Sequence, residues 1–267
     1  NFFLHYTLLR YSYFGKVFYF NTFMMKILSY PLSVLHYLLY GFLLLIFHPI
    51  QWVCIHFIGR KAHKAVVDFL TLMLTKILLV SGNWVRFSIE APLPKNVPII
   101  FVPNHQSLYD IPPLIWYLSH YSVRFVGKKE LGGGIPSITI NLRNNGSVLI
   151  DRSRPQDAVP QLEAFGKDLA AKKQAGLIFP EGTRSRNGVP RPFKTKGLYT
   201  IMEQMPEGYV VPITINNSWK ILRYGHFPLG IFNTVSFSVH KAIKIDPIRI
   251  EEQIAEVEAI VKAGIKE

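Results

Sequence analysis

An uncharged apolar segment near the start of the chain restricts its folding more than any other feature. Between Ile27 and Gly59 there is no Asp, Glu, Lys or Arg. A lipid bilayer accepts such a segment readily, whereas a water-soluble domain would have to enclose it almost completely. The stretch from Leu32 to Phe47 is shorter than the roughly 20 residues that a helix needs to cross a bilayer. The His48-Pro49 pair then predicts a break in the helix.

Two half-length apolar helices separated by this break would form a hairpin in one leaflet of a membrane. The alternatives are a single tilted span through 31–58 and a buried hairpin inside a soluble core. A cleaved signal peptide is less favoured, because no small-x-small cleavage site follows the apolar run. We therefore predict a membrane-anchoring helical region, 1–80, followed by a second domain, 81–267. The aromatic residues 1–23 are expected to be an upstream extension or a membrane-surface helix.

The charge of the chain is concentrated in its middle. The net charge is +13, and residues 120–200 contain 14 basic and 6 acidic residues. Such a distribution favours an anionic partner, such as phosphates on a small molecule, a membrane surface or nucleic acid. Nucleic acid is disfavoured because the aromatic residues lie in apolar runs and not in exposed basic patches. The single cysteine, Cys54, excludes a disulfide within the chain, and its apolar neighbours do not favour a catalytic thiol.

Alternating strand and helix patterns follow Gly82. The segment "WVRFSIE" has the two-residue period of a strand, and five later apolar runs are typical of buried strands: "VPIIFV", "SVRFVG", "GSVLI", "GLIFP" and "YVVPITI". Helical patterns occupy "DIPPLIWYLSH" and residues 155–174. Asp246-Pro247 is expected to cap a last helix, whose apolar stripe is Ile250, Ile254, Val257 and Val261. We predict the α/β fold class, with a mostly parallel or mixed central sheet flanked by helices.

The segment "NHQSLYD" places a histidine and an aspartate five residues apart. On one α-helix these side chains would point about 140° apart. Pro112 and Pro113 instead place a helix start just after Asp110, which predicts Asp110 as the N-cap and His105 in the preceding loop. A chain reversal would then bring Asp110 under the imidazole and make His105 a candidate general base. The alternative is that both residues merely cap a turn and a helix.

A second polar segment, "FPEGTRSR", follows the strand "GLIF". Exposed backbone amides, a hydroxyl and a guanidinium suit a phosphate, although a solvated basic loop is the alternative. Pro212, inside an apolar run, predicts a bulge or a sheet edge. The ends of four predicted strands bring the candidate residues to one rim, which carries His105, Asp110, Lys128, Arg152, Glu181, Gly182, Thr183 and Arg184, with Lys194 in the following "PFKTKG".

In this order, these segments resemble the motifs of the glycerolphosphate acyltransferase superfamily, most closely those of bacterial 1-acylglycerol-3-phosphate acyltransferases. The Asn-His-x4-Asp block corresponds to Asn104, His105 and Asp110, and "GSVLIDR" supplies an arginine after a strand, Arg152. The third block, Phe-Pro-Glu-Gly-Thr-Arg-Ser, spans Phe179 to Ser185. The fourth, an apolar stretch with a central proline, matches "VVPITI". The resemblance covers about residues 85–220.

This resemblance implies a reaction and a set of roles. His105, oriented by Asp110, would remove the proton from the 2-hydroxyl of lysophosphatidic acid. The oxygen would attack an acyl thioester directly, giving phosphatidic acid without an acyl-enzyme. The implied substrate-binding residues are Lys128, Arg152, Arg184 and Lys194 at the phosphate, Glu181, Gly182 and Thr183 in the turn, and Pro212. No metal or cofactor is implied, and acyl-CoA or acyl-acyl carrier protein would be the co-substrate.

Other functions remain compatible with the residues. His105 could activate water in a lipid hydrolase, another lysophospholipid could be the acceptor, or the chain could be a basic peripheral protein that binds anionic lipid. The chain contains no Gly-x-Ser-x-Gly segment and no His or Cys cluster with metal-ligand spacing. We expect the site on the cytoplasmic side of the inner membrane, because thioester donors are made in the cytosol and cationic "GRKAHK" follows the apolar run.

Overall fold

The N-terminal apolar segment forms one long helix that continues through both of its prolines. The computed structural model describes residues 2–151 and 154–266, with side chains from Phe23 onward except that of Pro155. Helix α1 (Phe2–Val53) includes Pro31 and Pro49, ends in a π-helical turn (Cys54–Ile58), and is followed by α2 (Arg60–Lys76). The predicted break at His48-Pro49 is therefore wrong. The chain reverses at Gly59, whose φ of 117° is accessible mainly to glycine.

Contacts from a distant part of the chain hold the turn of helix α1 that precedes Pro49. A proline removes only one backbone donor from a helix. Ser137 contacts this turn twice: its hydroxyl donates to the Leu44 carbonyl at 2.6 Å, and its N–H donates to His48 Nδ1 at 3.0 Å. These contacts come from about ninety residues further along the chain. Local sequence therefore could not reveal them.

One described helix, Phe23–Ile58, is long and apolar enough to cross a membrane by length and composition, with a mean hydropathy of 1.9. Only 17% of its most apolar window is buried against the rest of the protein. Its exposed apolar side chains include Ile27, Val34, Leu38, Phe42, Leu45 and Ile50. Its opposite side carries buried polar groups such as Ser33, His36 and Gln51, so the two sides of α1 face different surroundings.

A mixed eight-stranded sheet forms the centre of the second region, as predicted. Its strands are β1 (Trp84–Ile89), β2 (Ile99–Pro103), β3 (Arg124–Lys128), β4 (Val148–Ile150), β5 (Ala175–Leu177), β6 (Tyr209–Asn216), β7 (Thr234–Val239) and β8 (Ile243–Lys244). The order is β1-β7-β6-β2-β5-β3-β4, and β8 also pairs with β6. Strands β2 to β6 run parallel, whereas β7 and β8 are antiparallel to β6. The carboxyl ends of β2 to β6 therefore share one edge.

Helices cover both faces of this sheet. They are α3 (Ile111–Tyr117), α4 (Ile138–Asn144), α5 (Pro155–Lys172), α6 (Thr195–Glu203) and α7 (Ile250–Ala263). Alternate residues of the fully buried strand β2 enter two cores. Ile100 and Val102 pack with side chains of α5, α6 and α7, and Ile99 and Phe101 pack with the opposite core, which includes α3. A central strand with two apolar faces is typical of a parallel sheet covered on both sides.

The predicted apolar stripe of the last helix is confirmed, but the helix begins later than expected. Its stripe residues are 0–3% exposed: Ile250, Ile254, Val257 and Val261. Asp246 does not cap α7, which starts at Ile250. The Asp246 carboxylate instead accepts the Ile248 N–H at 3.0 Å, so it stabilises the turn before the helix.

Pro212 lies in an interior strand, which contradicts the expectation of a sheet edge. It is opposite Val102 in the parallel pair of β6 and β2. Its carbonyl accepts the His240 N–H at 3.0 Å, on the side where the partner of β6 changes from β8 to β7. The N–H and C=O of a strand residue point to the same side. The missing donor of Pro212 therefore falls at this change of partner, where an interior proline is tolerated.

Candidate active site

The two polar motifs meet because they follow neighbouring strands. The His105 loop begins where β2 ends, and the Phe179–Ser185 segment follows β5, which is paired directly with β2. Asn104 fixes the start of the first loop. Its side-chain amide donates to the Ile215 carbonyl at 2.9 Å and accepts the Ile215 N–H at 2.6 Å. The first motif is thereby attached to β6 before the chain leaves the sheet.

The imidazole of His105 and the carboxylate of Asp110 are in direct contact, as the predicted chain reversal requires. Nδ1 of His105 lies 2.8 Å from Oδ2 of Asp110. The Asp110 side chain is completely buried, whereas 14% of the His105 side chain is exposed. Because Nδ1 is hydrogen-bonded to Asp110, Nε2 is the ring nitrogen on the side of the imidazole that faces away from Asp110. A buried carboxylate on Nδ1 fixes the tautomer in which Nε2 can accept a proton.

Asp110 occupies the expected N-cap position of α3, but its side chain makes no capping hydrogen bond to that helix. Ser107 is the N-cap of a short 3₁₀ turn, Leu108–Asp110, that precedes α3. Its hydroxyl accepts the Tyr109 N–H at 3.0 Å, while Asp110 Oδ2 accepts the N–H groups of Gln106 at 2.7 Å and Ser107 at 2.9 Å. These reciprocal bonds form a capping box. Two amide donors and the imidazole therefore converge on one oxygen of Asp110.

The second motif holds His105 by its backbone and by one face of its ring. The Glu181 carboxylate accepts the His105 N–H at 2.8 Å, and the Ser185 N–H donates to the His105 carbonyl at 2.8 Å. The Phe179 ring is stacked on the imidazole, with centroids 4.0 Å apart and planes at 25°. His105 therefore has little freedom to change its position or its ring orientation.

Glu181 acts as a buried brace within this arrangement. It is 1% exposed, and its second oxygen accepts the Arg191 N–H at 2.9 Å. Burial raises the pKa of Glu181, and the hydrogen bonds from the Arg191 and His105 amides oppose this rise. Because both carboxylate oxygens accept backbone amides, Glu181 supports the loops and does not reach the open rim.

Four further predicted residues lie in or beside the turn after Glu181. Gly182 has a φ of 69° and its N–H donates to the Phe179 carbonyl at 3.1 Å. The side chain of Lys194 lies over it, so that an added Cβ would be 3.2 Å from Lys194 Cδ. Thr183 is exposed and Arg184 is half-buried. The turn therefore presents a hydroxyl and two cationic side chains beside the His105 loop.

Arg184 also borders a small open cleft of about 70 Å³. The other residues that line this cleft are Gln106, Arg186, Trp219, Leu222, Gly225 and His226. Sequence reasoning did not single out Gln106, whose Oε1 accepts the Ser218 N–H at 2.9 Å. Its place inside the His105 motif was the available signal. Trp219 and His226 follow β6 and carried no motif that could have indicated them.

Two other predicted residues, Lys128 and Pro212, are not brought into this cluster. Lys128 ends β3 at the same edge, but its ammonium is 2.9 Å from the Glu130 carboxylate and β5 separates it from β2. Pro212 is buried inside the sheet and does not reach the rim. Arg152 lies outside the described residues. Among residues 2–151 and 154–266, no group of three or more His, Cys, Asp or Glu side chains could hold a metal ion.

The fold and site together define a class of protein: an α/β enzyme with a carboxylate-supported histidine at the carboxyl edge of its sheet. Residues 84–216 match the family model described as Acyltransferase, and the chain belongs to the acyltransferase family. The matched region begins with β1 and ends with β6, so it contains both motifs that hold His105.

Similar proteins carry one recurring description. The chain is 30% identical over 160 residues to a 1-acyl-sn-glycerol-3-phosphate acyltransferase alpha of Ovis aries, covering 60% of this chain and 53% of that protein. It is 34% identical over 148 residues to a chloroplastic 1-acyl-sn-glycerol-3-phosphate acyltransferase of Brassica napus, covering 55% of this chain and 41% of that protein. The chain thus spans about half or less of the length of these relatives.

A solved structure matches most of the chain. The crystal structure of the 1-acyl-sn-glycerophosphate (LPA) acyltransferase PlsC from Thermotoga maritima is 25% identical, with a TM-score of 0.60. The match covers 84% of this chain and 93% of that one. The likeness therefore extends beyond the segment matched by the family model.

Proposed function

We propose that this protein transfers an acyl chain from a thioester to the 2-hydroxyl of 1-acylglycerol-3-phosphate, producing phosphatidic acid. One observation carries the proposal: a buried Asp110 supports His105 within a loop that is clamped by the Glu181–Ser185 turn. Both segments lie inside the region that matches the acyltransferase family. The activity for which the similar proteins are named supports lysophosphatidic acid as the acceptor.

The geometry of His105 suits direct transfer. Nε2 accepts the proton of the acceptor hydroxyl as its oxygen bonds to the thioester carbonyl carbon. The resulting imidazolium is stabilised by Asp110, which is 2.8 Å from Nδ1. When the C–S bond breaks, the proton passes from Nε2 to the departing thiolate, so no acyl-enzyme is needed. A positioned general base contributes about 10²–10⁴ in rate, and alignment of the two substrates supplies much of the remainder.

The acceptor phosphate would lie over the turn that follows β5. Arg184 offers a planar pair of donors, and Lys194 lies over Gly182 in the same turn. A guanidinium forms two parallel hydrogen bonds to a phosphate, which fixes orientation as well as charge. Lys128, at the end of β3, and Arg152 are proposed as further cations for the same anion. The exposed Thr183 hydroxyl would add a neutral donor.

Helix α1 would attach the enzyme to one leaflet of a membrane. Its residues 33–44 contact the second region: Ser33 Oγ accepts the Leu229 N–H at 2.7 Å, and the Leu44 carbonyl accepts from Ser137. If α1 crossed the bilayer perpendicular to its plane, these contacts would pull the polar domain into the hydrocarbon core. Leu38 and Leu45, on the outer side, are 67% and 64% exposed and would contact lipid. We place the site on the cytoplasmic side of the inner membrane, where thioester donors are made.

The test follows thiol and phosphatidic acid in one assay. Purified protein in detergent receives lysophosphatidic acid with acyl-CoA or with acyl-acyl carrier protein, and the comparison shows which donor it uses. His105→Ala should abolish transfer, and His120→Ala, an exposed histidine away from the rim, should not. Transfer by His105→Ala at the wild-type rate would exclude the proposed mechanism. Thiol release that does not depend on the acceptor would indicate a hydrolase.

A further inference from the structure

Tyr109 lies within the His105 motif, but its side chain points away from the rim. It is the middle residue of the 3₁₀ turn Leu108–Asp110, and it is 2% exposed. Its hydroxyl lies 3.1 Å from Nε2 of His36 in helix α1, and that histidine is completely buried. A residue of the proposed membrane helix is therefore hydrogen-bonded to the residue that immediately precedes Asp110.

The surroundings of this contact restrict it to one geometry. The rings of His36 and Tyr40 lie edge-on to the Tyr109 ring, at centroid distances of 5.5 and 6.2 Å. Burial raises the pKa of Tyr109, so its hydroxyl stays protonated. A hydrogen bond enclosed by aromatic rings has little competition from water and holds both partners in place.

The turn connects this contact to the carboxylate below His105. The Tyr109 N–H donates to Ser107 Oγ at 3.0 Å, and the Ser107 N–H donates to Asp110 Oδ2 at 2.9 Å. In a turn of three residues, a displacement of the middle residue moves both neighbours. Small errors in the position of a catalytic group lower the rate strongly, because proton transfer requires hydrogen-bond distance.

Helix α1 is also attached beside the cleft that Arg184 borders. The Tyr37 hydroxyl donates to the carbonyl of His226, and the Tyr30 ring meets the Phe227 ring edge-on at 5.5 Å. Because His226 lines the cleft, α1 is attached both to the cleft and to the His105 motif. The contacts of His36 and Tyr37 with the Tyr109 side chain are the ones that lead into the capping box of Asp110.

We propose that His36 is a positioning residue, through which the seating of α1 holds the His105–Asp110 pair in its reactive arrangement. The measurement of this role through a reaction rate rests on the proposed function. Seating of the apolar helix is then coupled to the chemistry at the rim, since the same helix carries the lipid-facing side chains and the support for Tyr109. Neither substrate touches His36, so the effect should be on turnover and not on substrate binding.

The first experiment compares Tyr109→Phe, His36→Leu and the double variant in phosphatidylcholine and phosphatidylglycerol vesicles. Each single variant should lower kcat about tenfold while KM for both substrates stays near the wild-type value. The double variant should be no slower than the single ones, because all three lose the same contact. His36→Gln, which retains an acceptor for the phenol, should recover most of the rate.

A matched control is Tyr121→Phe. Tyr121 also packs in the apolar core and its hydroxyl donates to the Leu93 carbonyl at 3.4 Å, but it lies outside the His105 motif. This variant should keep the wild-type kcat. Vesicle sedimentation should show equal membrane binding for all variants. A wild-type kcat in both Tyr109→Phe and His36→Leu would overturn the proposal, as would fully additive losses in the double variant.

A spectroscopic readout separates this inference from the proposed function. The proton shared by His105 Nδ1 and Asp110 should give a downfield NMR resonance, assigned by its absence in His105→Ala. Tyr109→Phe and His36→Leu should shift or broaden it, and Tyr121→Phe should not. If the wild type fails to acylate lysophosphatidic acid but the resonance responds in this way, only the proposed function fails. An unchanged resonance in both variants overturns the positioning role.

Discussion

The two halves of the rim differ in how tightly their side chains are held. In the half around His105, Asp110 and Glu181 are at most 1% exposed and their carboxylates accept backbone amides. In the other half, Lys128 is half exposed and pairs with exposed Glu130, and Thr183 is exposed. A proton-transferring group must be fixed to within a hydrogen-bond length, whereas a cation attracts a phosphate over a longer range. This difference underlies the proposed division between chemistry and substrate capture.

The sharpest test of this division is Asp110→Asn. Neutralising the carboxylate should lower kcat about 10³–10⁴-fold, because the amide favours the wrong imidazole tautomer and cannot stabilise an imidazolium. Steady-state rates of phosphatidic acid formation measure this effect. Asp157→Asn, at an exposed site in α5, is the matched control and should be unchanged. A loss confined to KM would contradict the assignment of Asp110 to the chemical half.

Arg184→Ala tests the capture half. Loss of a charge-assisted hydrogen bond to phosphate should raise KM for lysophosphatidic acid about 10–100-fold, with a smaller change in kcat. Arg249→Ala, which removes an exposed guanidinium paired with Glu252, controls for the loss of net charge. If Arg184→Ala changed kcat alone, the arginine would belong with His105 and not with the acceptor phosphate.

Lys128→Ala should have a smaller effect of the same kind. Its ammonium is well solvated and already paired with Glu130, so KM for lysophosphatidic acid should rise only about threefold to fivefold. The free energy of unfolding should change by less than about 0.5 kcal/mol. Glu130→Ala in the same assay would release the ammonium from its partner and should lower KM slightly. An effect as large as that of Arg184→Ala would place Lys128 on the phosphate directly.

The smallest expected effect is in the pH dependence of stability, which Glu181→Gln tests by removing the titrating carboxyl. Burial raises the pKa of Glu181 above its ordinary 4.5, so the folded state holds this proton more tightly than the unfolded chain. The contribution of Glu181 to stability is therefore greatest in acid and declines as pH rises from 4.5 through the raised pKa. Thermal unfolding should show this decline in the wild type but not in the variant, with a difference on the order of 2 °C.

Local patterns were sufficient for much of the fold. The all-apolar "VPIIFV" predicted a strand buried on both faces, and β2 is completely buried. The approach of His105 to Asp110 followed from a strand end on one side and Pro112 and Pro113 on the other. These features depend on residues close in sequence, where steric and hydrogen-bonding preferences of the backbone decide the outcome.

The expectations that failed depended on distant partners. Pro49 does not break α1, whose preceding turn Ser137 holds through Leu44 and His48. Pro212 lies in an interior strand because β7 and β8 exchange places beside it. One exception is local, because the Ser-x-x-Asp spacing from Ser107 to Asp110 is itself a capping-box pattern. The substrate-binding roles of Lys128, Arg152, Arg184 and Lys194 stay predictions that the variants above address.

The side chain of Asn104 forms hydrogen bonds to the backbone of β6 just after β2 ends. Its amide exchanges one donated and one accepted hydrogen bond with Ile215, so both backbone groups of that residue are paired. The chain therefore stays attached to β6 after the backbone of β2 has ended. The His105 loop therefore leaves the sheet at a point where the end of β2 is held to β6. An aspartate here would accept the Ile215 N–H but could not donate to the Ile215 carbonyl, so one of the two hydrogen bonds would be lost.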